Sequence, residues 1–217
     1  MDISIRFFGL KVVKVIIVDK NSSLDIHATS TSLASIASKM DNIYKIIYSD
    51  DYLPVSYTKK IRQKDYFEDR ITNYSHEKEI AKRTDLLKKK KSEYKIKSTS
   101  RDFFSALFFL RDQISKKNRS NFWVDANKVI WKVNWEIIKK EKIETMFGKT
   151  NTIKVKMIFN NFNNQKKERT DMLTNNLVDE KKELIFWFTD DEKSIPIKAK
   201  FASKPFPVYW TLDNYEK

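Results

Sequence analysis

The sequence predicts a mainly β protein, built as a large antiparallel meander with two short helices. Apolar and polar residues alternate along most of the chain, which is the period of strands that bury one face. Short polar links separate the alternating runs, and consecutive strands joined in this way pair antiparallel. The chain has 217 residues, 41% of them hydrophobic, which is enough to bury a sizeable core. We therefore expect a single domain over residues 1–217.

The strands are predicted from apolar residues at every second position. In chain order they cover residues 11–18, 53–57, 129–137, 153–159, 183–189, 195–201 and 206–212. Two of them, 11–18 and 183–189, are apolar enough for both faces to be covered. The links at 19–23, 125–128 and 190–194 are polar and four or five residues long, as hairpin connections are.

Two segments replace alternation with helical spacing and predict helices at about 31–40 and 102–114. The first stripe consists of Leu33, Ile36, Ala37 and Met40, and the second of Phe103, Ala106, Leu107, Leu110 and Ile114. Each stripe follows Ser and Thr residues that can cap a helix. We expect both helices to pack on the sheet.

Two charged stretches lack a clear pattern. Residues 77–97 contain four consecutive lysines at 88–91 and are predicted to form an exposed charged hairpin or loop. Residues 160–179 are rich in Asn and in charge. Well-patterned strands lie on both sides of each stretch, so neither indicates a domain boundary.

The composition excludes several classes of enzyme. The chain has two Gly and no Cys, and neither Gly9 nor Gly148 lies in a phosphate loop, a dinucleotide fingerprint or a nucleophile elbow. Without Cys there is no zinc ribbon, iron–sulfur site, thiol catalysis or disulfide. His27 and His76 lack a second ligand at a metal-binding spacing. We therefore predict a non-enzymatic protein with no catalytic residues, no metal site and no cofactor.

The net charge of +14 has two interpretations. It can attract nucleic acid, lipid headgroups or anionic glycans. It can also reflect solubility and compositional bias, because 35 of the 43 basic residues are Lys and specific phosphate recognition favours Arg. No apolar stretch approaches the roughly 20 residues of a membrane helix, so no membrane span is predicted. The first residues alternate like a strand and show no signal-peptide pattern.

Two sequence signatures indicate a family. Residues 101–111, RDFFSALFFLR, resemble the signature LDPLSALYYLR of a bacterial family of unknown function, numbered three-one-zero-eight among such domains. Residues 186–197, FWFTDDEKSIPI, resemble the segment vWLTDDerriPv of that family, and residues 8–12 resemble its opening strand, kink and strand. The order and spacing of all three agree, so the resemblance spans nearly the whole chain. Phe103 stands where the signature has Pro.

The resemblance implies a fold and a location. The family is similar to exported or periplasmic proteins in which a large antiparallel meander is curled into an open half-barrel with a short helix in its concavity. We therefore expect a half-barrel in the periplasm or cell envelope, with the cytoplasm as the alternative. The resemblance supplies no reaction.

Arg111 and the acidic pair Asp190 and Asp191 are the notable charges of the two signatures. If the second helix lies in the concavity, Arg111 needs a partner carboxylate, and we expect Asp190 or Asp191 to provide it. Alternatively, Arg111 faces the groove and binds an anionic group of a ligand. Asp190, Asp191 and Pro196 are themselves expected to be structural, because a turn between two strands requires such residues.

Aromatic rings complete the predicted ligand site. The predicted ligand-binding residues are Phe108, Arg111, Trp131, Trp135 and Trp187. Large rings in strands normally fill a core. In a half-barrel, however, one sheet face is not fully covered, and rings exposed there would bind acyl chains or stacked sugars.

These observations favour one function over two others. The leading hypothesis is a non-enzymatic cell-envelope protein that holds or carries an amphiphilic, anionic ligand such as a lipid or glycan, with an envelope protein as a further candidate partner. The alternative is a cytosolic nucleic-acid-binding protein that uses the +14 surface. The third is an enzyme with Asp190 and Asp191 as working carboxylates.

Overall fold

One curled sheet contains all the strands that the structure describes. The structure is a computed structural model that describes residues 1–36, 38–166, 168–180, 182–202 and 207–216. Its strands are β1 (Asp2–Phe7), β2 (Leu10–Lys20), β3 (Ser23–Ser30), β4 (Met40–Tyr48), β5 (Pro54–Gln63), β6 (Tyr66–Ser75), β7 (Ile80–Asp85), β8 (Lys90–Lys95), β9 (Ser100–Arg101), β10 (Arg119–Ala126), β11 (Val129–Thr145), β12 (Gly148–Asn161), β13 (Glu183–Thr189), β14 (Pro196–Phe201) and β15 (Val208–Asn214). Its helices are α1 (Ser32–Ser35), α2 (Phe103–Ile114) and α3 (Met172–Leu177), and a single 3₁₀ turn covers Asp50–Tyr52.

The strand order across the sheet shows how the meander is wrapped. Strands β8 to β1 follow one another, then β1 pairs with β15, and β15 to β9 complete the sheet. Among the described strands, neighbours pair antiparallel except β9 and β10, which are parallel. The sheet is not closed by backbone pairing between its ends, β8 and β9. The prediction of a mainly β, antiparallel half-barrel is therefore confirmed.

A two-residue turn fixes the register of the β1–β2 hairpin. Phe7 pairs with Leu10, and the turn residues Phe8 and Gly9 both have positive φ angles, 52° and 77°. This is the geometry of the type I′ turn, whose twist matches that of the strands it joins. A side chain at Gly9 would meet open space, so glycine is needed there for its backbone angle and not for room.

Helix α2 fills the concave face of the sheet. Asp102 caps it by accepting hydrogen bonds from the backbone of Phe104 and Ser105 (2.9 and 3.1 Å). The Phe104 ring lies 5.1 Å from that of Tyr44 on β4. Burial of each such ring stabilises the fold by about 1.5–3 kcal/mol. The observed range of α2, Phe103–Ile114, confirms the helix predicted at 102–114.

The helix predicted at 31–40 is wrong in length, because α1 covers only Ser32–Ser35. Ile36 is 86% exposed, so the apolar stripe has no core to pack on. Met40 already begins β4, and its backbone N–H donates to the Ser30 hydroxyl (3.0 Å). Ala37 lies outside the described residues, as does Phe206 of the last predicted strand.

A third helix, α3, lies in the stretch 160–179 for which no element was predicted. It covers only Met172–Leu177, and Asp171 caps it by accepting a hydrogen bond from the backbone of Thr174 (2.9 Å). It places one end of this stretch against the sheet. Among the described residues, no helix has the length and apolar character required to cross a bilayer.

The stretch 77–97 forms the hairpin of β7 and β8 at one end of the sheet. Its outward side is exposed, as predicted for the whole stretch, but Ala81, Arg83 and Ile96 are buried. Their burial has a physical cause: Ala81 and Ile96 pack against Ile130 of β11, near the opposite end of the sheet.

Side chains join the two ends of the sheet. The Tyr74 and Tyr94 hydroxyls, on β6 and β8, both donate to the Asp125 carboxylate on β10 (3.1 and 2.5 Å). We call this contact the seam. The sheet is thus curled until its ends touch, with side-chain bonds in place of a ladder.

Candidate functional site

An apolar cavity of about 290 Å³ lies at one end of the half-barrel. It is lined by Ile5, Phe7, Val12, Val13, Met40, Met172, Leu173, Phe201, Val208 and Trp210. These residues come from β1, β2, β14 and β15 on one side and from α3 and the start of β4 on the other. All described lining side chains are apolar or aromatic, and the volume is close to the lower bound, about 300 Å³, of small-molecule sites.

Exposed apolar side chains lie beside the apolar cavity. Phe8 and Leu10 are 60% and 57% exposed, and the Phe8 ring lies 4.5 Å from that of Phe7, which lines the cavity. Met172 is also a lining residue that remains half exposed. Contiguous exposed apolar surface of this kind marks an interaction site more often than isolated apolar residues do.

A second cavity, of about 540 Å³, is charged. We call it the basic cavity. It is lined by Tyr66, Phe67, Glu68, Arg70, Arg83, Asp85, Lys88, Lys90, Ser92, Lys128, Glu168 and Arg169. Six of these residues are basic and three are acidic. The basic cavity is therefore a place where an anion is favoured.

The segment 168–173 connects the two cavities. Glu168 and Arg169 line the basic cavity, whereas Met172 and Leu173 line the apolar cavity. Between them, Asp171 is fully buried and fastens the segment to the interior of the sheet. The two cavities thus lie on either side of one anchored stretch of six residues.

The anchor is a buried ion pair. The Asp171 carboxylate lies 2.6 Å from the Lys59 ammonium on β5 and accepts a hydrogen bond from the Tyr44 hydroxyl (2.7 Å). Burial alone would raise the pKa of Asp171, but the Lys59 ammonium and the Thr174 hydroxyl and backbone N–H more than offset it, so the pKa lies below its usual value. Lys59 also donates to the Thr170 hydroxyl (2.9 Å). The carboxylate is therefore charged at neutral pH.

The four rings predicted to bind ligand do not share one groove, although Trp135 lines a further pocket of about 480 Å³ with Arg119, Glu136 and Lys156. Phe108, which lies on α2, and Trp131 and Trp135 on β11 are all buried, and α2 fills the concavity that the rings were expected to line. Trp187 lies on the opposite side of β13 from its neighbours, and the ammonium groups of Lys154 and Lys198 lie 4.9 and 5.2 Å from its ring centre. These four rings line neither the apolar nor the basic cavity.

The ion pair predicted between Arg111 and Asp190 or Asp191 is wrong for the described structure. The Arg111 guanidinium donates to the backbone carbonyl of Lys193 (3.1 Å), in the turn that contains both acids. Asp190 pairs with the Lys140 ammonium (2.9 Å). The turn thus offers Arg111 a carbonyl, because both of its carboxylates have other partners.

Asp191 organises that turn. Its carboxylate accepts hydrogen bonds from the Thr189 hydroxyl (2.7 Å) and from the backbone of Lys193 and Ser194 (3.0 and 3.1 Å). Pro196 begins β14 directly afterwards and pairs with Phe188. Asp190 and Asp191 therefore do not converge on a cleft, as an enzyme with two working carboxylates would require.

The charged residues of the basic cavity, and Lys59 of the buried ion pair, were not identified from the sequence, although part of the signal is there. Lys59 alternates in phase with Tyr57 and Ile61, which are buried, so its side chain is directed inward. Arg70 and Arg83 are likewise buried on β6 and β7. A basic residue at an inward position indicates either a buried ion pair or a ligand site.

Comparisons with known proteins show a matching family and a similar fold. A family model described as "Protein of unknown function (DUF3108)" matches residues 3–205. No curated protein matches the chain significantly. Among solved structures, a beta-barrel-like protein of the domain of unknown function DUF1849 from Brucella abortus is similar, with a TM-score of 0.62 and 8% sequence identity over 97% of this chain and 92% of that one. At this identity the likeness shows a shared fold.

Proposed function

Because the chain belongs to the DUF3108 family of proteins of unknown function, we propose its function from its own cavities: it is a non-enzymatic protein of the cell envelope that binds or carries an amphiphilic ligand such as a lipid. The apolar part of that ligand enters the apolar cavity. The observation that carries the proposal is this cavity of about 290 Å³, lined by ten apolar or aromatic residues.

The lining favours an acyl chain over a glycan. Sugars are held by hydrogen bonds from polar side chains, and every described residue that lines the apolar cavity has an apolar or aromatic side chain. The one side-chain N–H among them belongs to Trp210, which is buried without a hydrogen-bond partner in the described structure. An alkyl chain has no hydrogen-bond donors or acceptors, so it can be buried against this apolar surface.

The exposed apolar side chains beside the apolar cavity support exchange with a lipid phase. Phe8 and Leu10 stand at the tip of the β1–β2 hairpin, and their exposure has a cost in water unless a ligand or a lipid surface covers them. The proposed location in the cell envelope follows from the same argument, together with the resemblance of the two sequence signatures to exported proteins. A carrier there needs no catalytic group.

Two measurements test the proposal. Native mass spectrometry of protein purified from cell extract, with lipid extraction in parallel, is expected to show a retained lipid. In calorimetric titration, monomeric dodecyl maltoside is expected to bind, and Val13→Trp, which fills part of the apolar cavity, is expected to weaken binding at least about fivefold. The uncharged maltoside reports on the apolar cavity alone.

Val18→Trp is the matched control. Val18 lies on the same strand as Val13, is exposed, and does not line the apolar cavity. It adds the same ring to the surface, so binding is expected to change less than about twofold. A protein that retains no lipid and does not bind dodecyl maltoside saturably would contradict the proposal.

A further inference from the structure

The basic cavity holds more positive charge than its carboxylates neutralise. Glu68 lies 2.8 Å from the Arg70 guanidinium. Glu168 is shared between Arg83 and Lys128, at 3.1 and 3.6 Å. Two carboxylates and three cations of the lining therefore form three ion pairs, and the remaining three cations stand at the mouth.

Three cations at the mouth, Lys88, Lys90 and Arg169, line the cavity without forming an ion pair to any described residue. Asp85, the third acid of the lining, accepts a hydrogen bond from the backbone of Lys88 (2.9 Å) and so serves the β7–β8 turn. Arg169 donates to the Asp65 carbonyl (3.3 Å) and lies over the Tyr66 ring, 5.4 Å from its centre. These contacts hold the guanidinium of Arg169 at the rim of the cavity.

Arg83 has a donor that its surroundings leave unused. Its side chain is more than nine-tenths buried, and its Nε–H has no hydrogen-bond partner in the described part of the chain. Its guanidinium also lies 5.3 Å from the centre of the Tyr94 ring. Buried guanidinium donors are normally satisfied, so this one is available to a ligand.

We propose that the basic cavity binds a phosphate group that carries more than one negative charge, as a phosphate monoester or a diphosphate does. Two buried guanidinium groups and the mouth lysines line one cavity of about 540 Å³, and planar guanidinium donors match phosphate oxygens well. A phosphate monoester carries about −1.5 to −2 at pH 7. The excess of three positive charges in the lining is larger than that, so the lining can neutralise such a group.

This inference goes beyond the proposed function, because a free phosphate compound satisfies it as well as the headgroup of a phosphorylated amphiphile. The geometry favours the headgroup of a phosphorylated amphiphile. The segment 168–173 contributes to both cavities, so an amphiphile with its chain in the apolar cavity would bring its headgroup toward Arg169.

The test is calorimetric titration of the full chain with pyrophosphate at low salt. Lys90→Gln combined with Arg169→Gln removes two exposed cations of the mouth. Both residues are on the surface and form no ion pair to a described residue, so the double variant is expected to fold. Wild-type protein is expected to bind saturably, and the double variant at least about tenfold more weakly, because two charge-assisted hydrogen bonds are lost.

The matched control is Lys142→Gln combined with Lys149→Gln. Both lysines are exposed and lie on the β11–β12 hairpin, outside the basic cavity. This variant has the same net charge as the first, and its affinity for pyrophosphate is expected to change less than about twofold. Equal weakening of both double variants, or no saturable binding by the wild type, would overturn the inference.

A comparison of inorganic phosphate with decyl phosphate distinguishes the two sources. If decyl phosphate binds at least about tenfold more tightly than inorganic phosphate, and Val13→Trp removes this difference in affinity, the site binds the headgroup of an amphiphile. If the two bind equally, the ligand is a free phosphate compound. Both results support an anion site, whereas failure of the proposed function would be seen separately with uncharged dodecyl maltoside.

Discussion

The Lys59 ammonium lies 2.6 Å from the Asp171 carboxylate, and the two side chains are 1% and 0% exposed. The residues are 112 positions apart in the chain, and their contact fixes α3 and the segment 168–173 against the inside of the sheet. Because that segment contributes to both cavities, the ion pair determines whether either cavity has its shape.

We expect Lys59→Met to lower the free energy of unfolding by about 3–5 kcal/mol, because it leaves the Asp171 carboxylate buried without its cation. Denaturation in urea measures the loss. Lys60→Met is the control, since Lys60 is the exposed neighbour on the same strand and its replacement is expected to cost less than about 0.5 kcal/mol. Similar small losses for both variants would show that water reaches the pair.

The second prediction concerns Asp102, the cap of α2. Burial raises the pKa of this carboxyl to about 6, against the opposing effect of its hydrogen bonds from Ser105 and Phe104. The folded protein then binds a proton more tightly than the unfolded chain does. The contribution of Asp102 to stability is fully present below pH 4, near its ordinary pKa, and is lost as the pH rises to about 6.

Asp102→Asn keeps a capping oxygen and removes this titration. Relative to the wild type, the Asn variant is therefore expected to gain on the order of 2–3 kcal/mol between pH 4 and pH 7, measured by urea denaturation at several pH values. Asp102→Ala is expected to follow the same pH dependence at a stability lower by about 1 kcal/mol, because its cap is gone. Parallel curves for the wild type and the Asn variant would refute the assignment.

The helices show what the sequence could and could not predict. Helix α2 was predictable because its apolar stripe agrees with its place in the concavity, although its cap is Asp102 and not the Ser and Thr residues at 98–100. The stripe around Ile36 was misleading because its spacing is helical but the sheet offers it no surface to cover. Helix α3 has six residues and little apolar pattern, and its position depends on the distant Lys59.

The candidate site was less predictable than the fold. Period-two alternation places Lys59, Arg70 and Arg83 on the inward side of their strands, so the sequence contains the information that these cations are buried. It does not show that Arg70 and Arg83 line one cavity while Lys59 pairs with Asp171, since that depends on how far the sheet curls. The signature residue Arg111 was more visible, but it serves the turn at Lys193.

The third prediction tests the seam. Burial, and then the Asp125 charge, raise the pKa of Tyr94 well above its usual value, so its hydroxyl stays a donor at neutral pH. Asp125→Ala leaves the Tyr74 and Tyr94 hydroxyls without their acceptor, which is expected to cost about 2–4 kcal/mol. Hydrogen exchange should accelerate in β8 and β10 and stay unchanged between β1 and β15, where the sheet is continuous.

Asp25→Ala is the control for the seam. Asp25 lies on β3 and pairs with the exposed Lys20 ammonium (2.6 Å), so its loss is expected to cost less than about 1 kcal/mol without changing exchange in β8. If Asp125→Ala accelerated exchange equally throughout the sheet, the seam would not be a separate opening unit.

The last prediction separates the two acids of the β13–β14 turn. Asp191 accepts two backbone N–H bonds and one hydroxyl bond there, so Asp191→Ala is expected to lower the free energy of unfolding by about 1–3 kcal/mol. Asp190 has an exposed pair with Lys140, and Asp190→Ala is expected to cost less than about 1 kcal/mol. The same turn holds Arg111 through the Lys193 carbonyl, so only the Asp191 variant should also loosen the C-terminal end of α2, seen as faster hydrogen exchange there. Equal effects of the two variants would mean that the acids act together, as the alternative of a carboxylate pair requires.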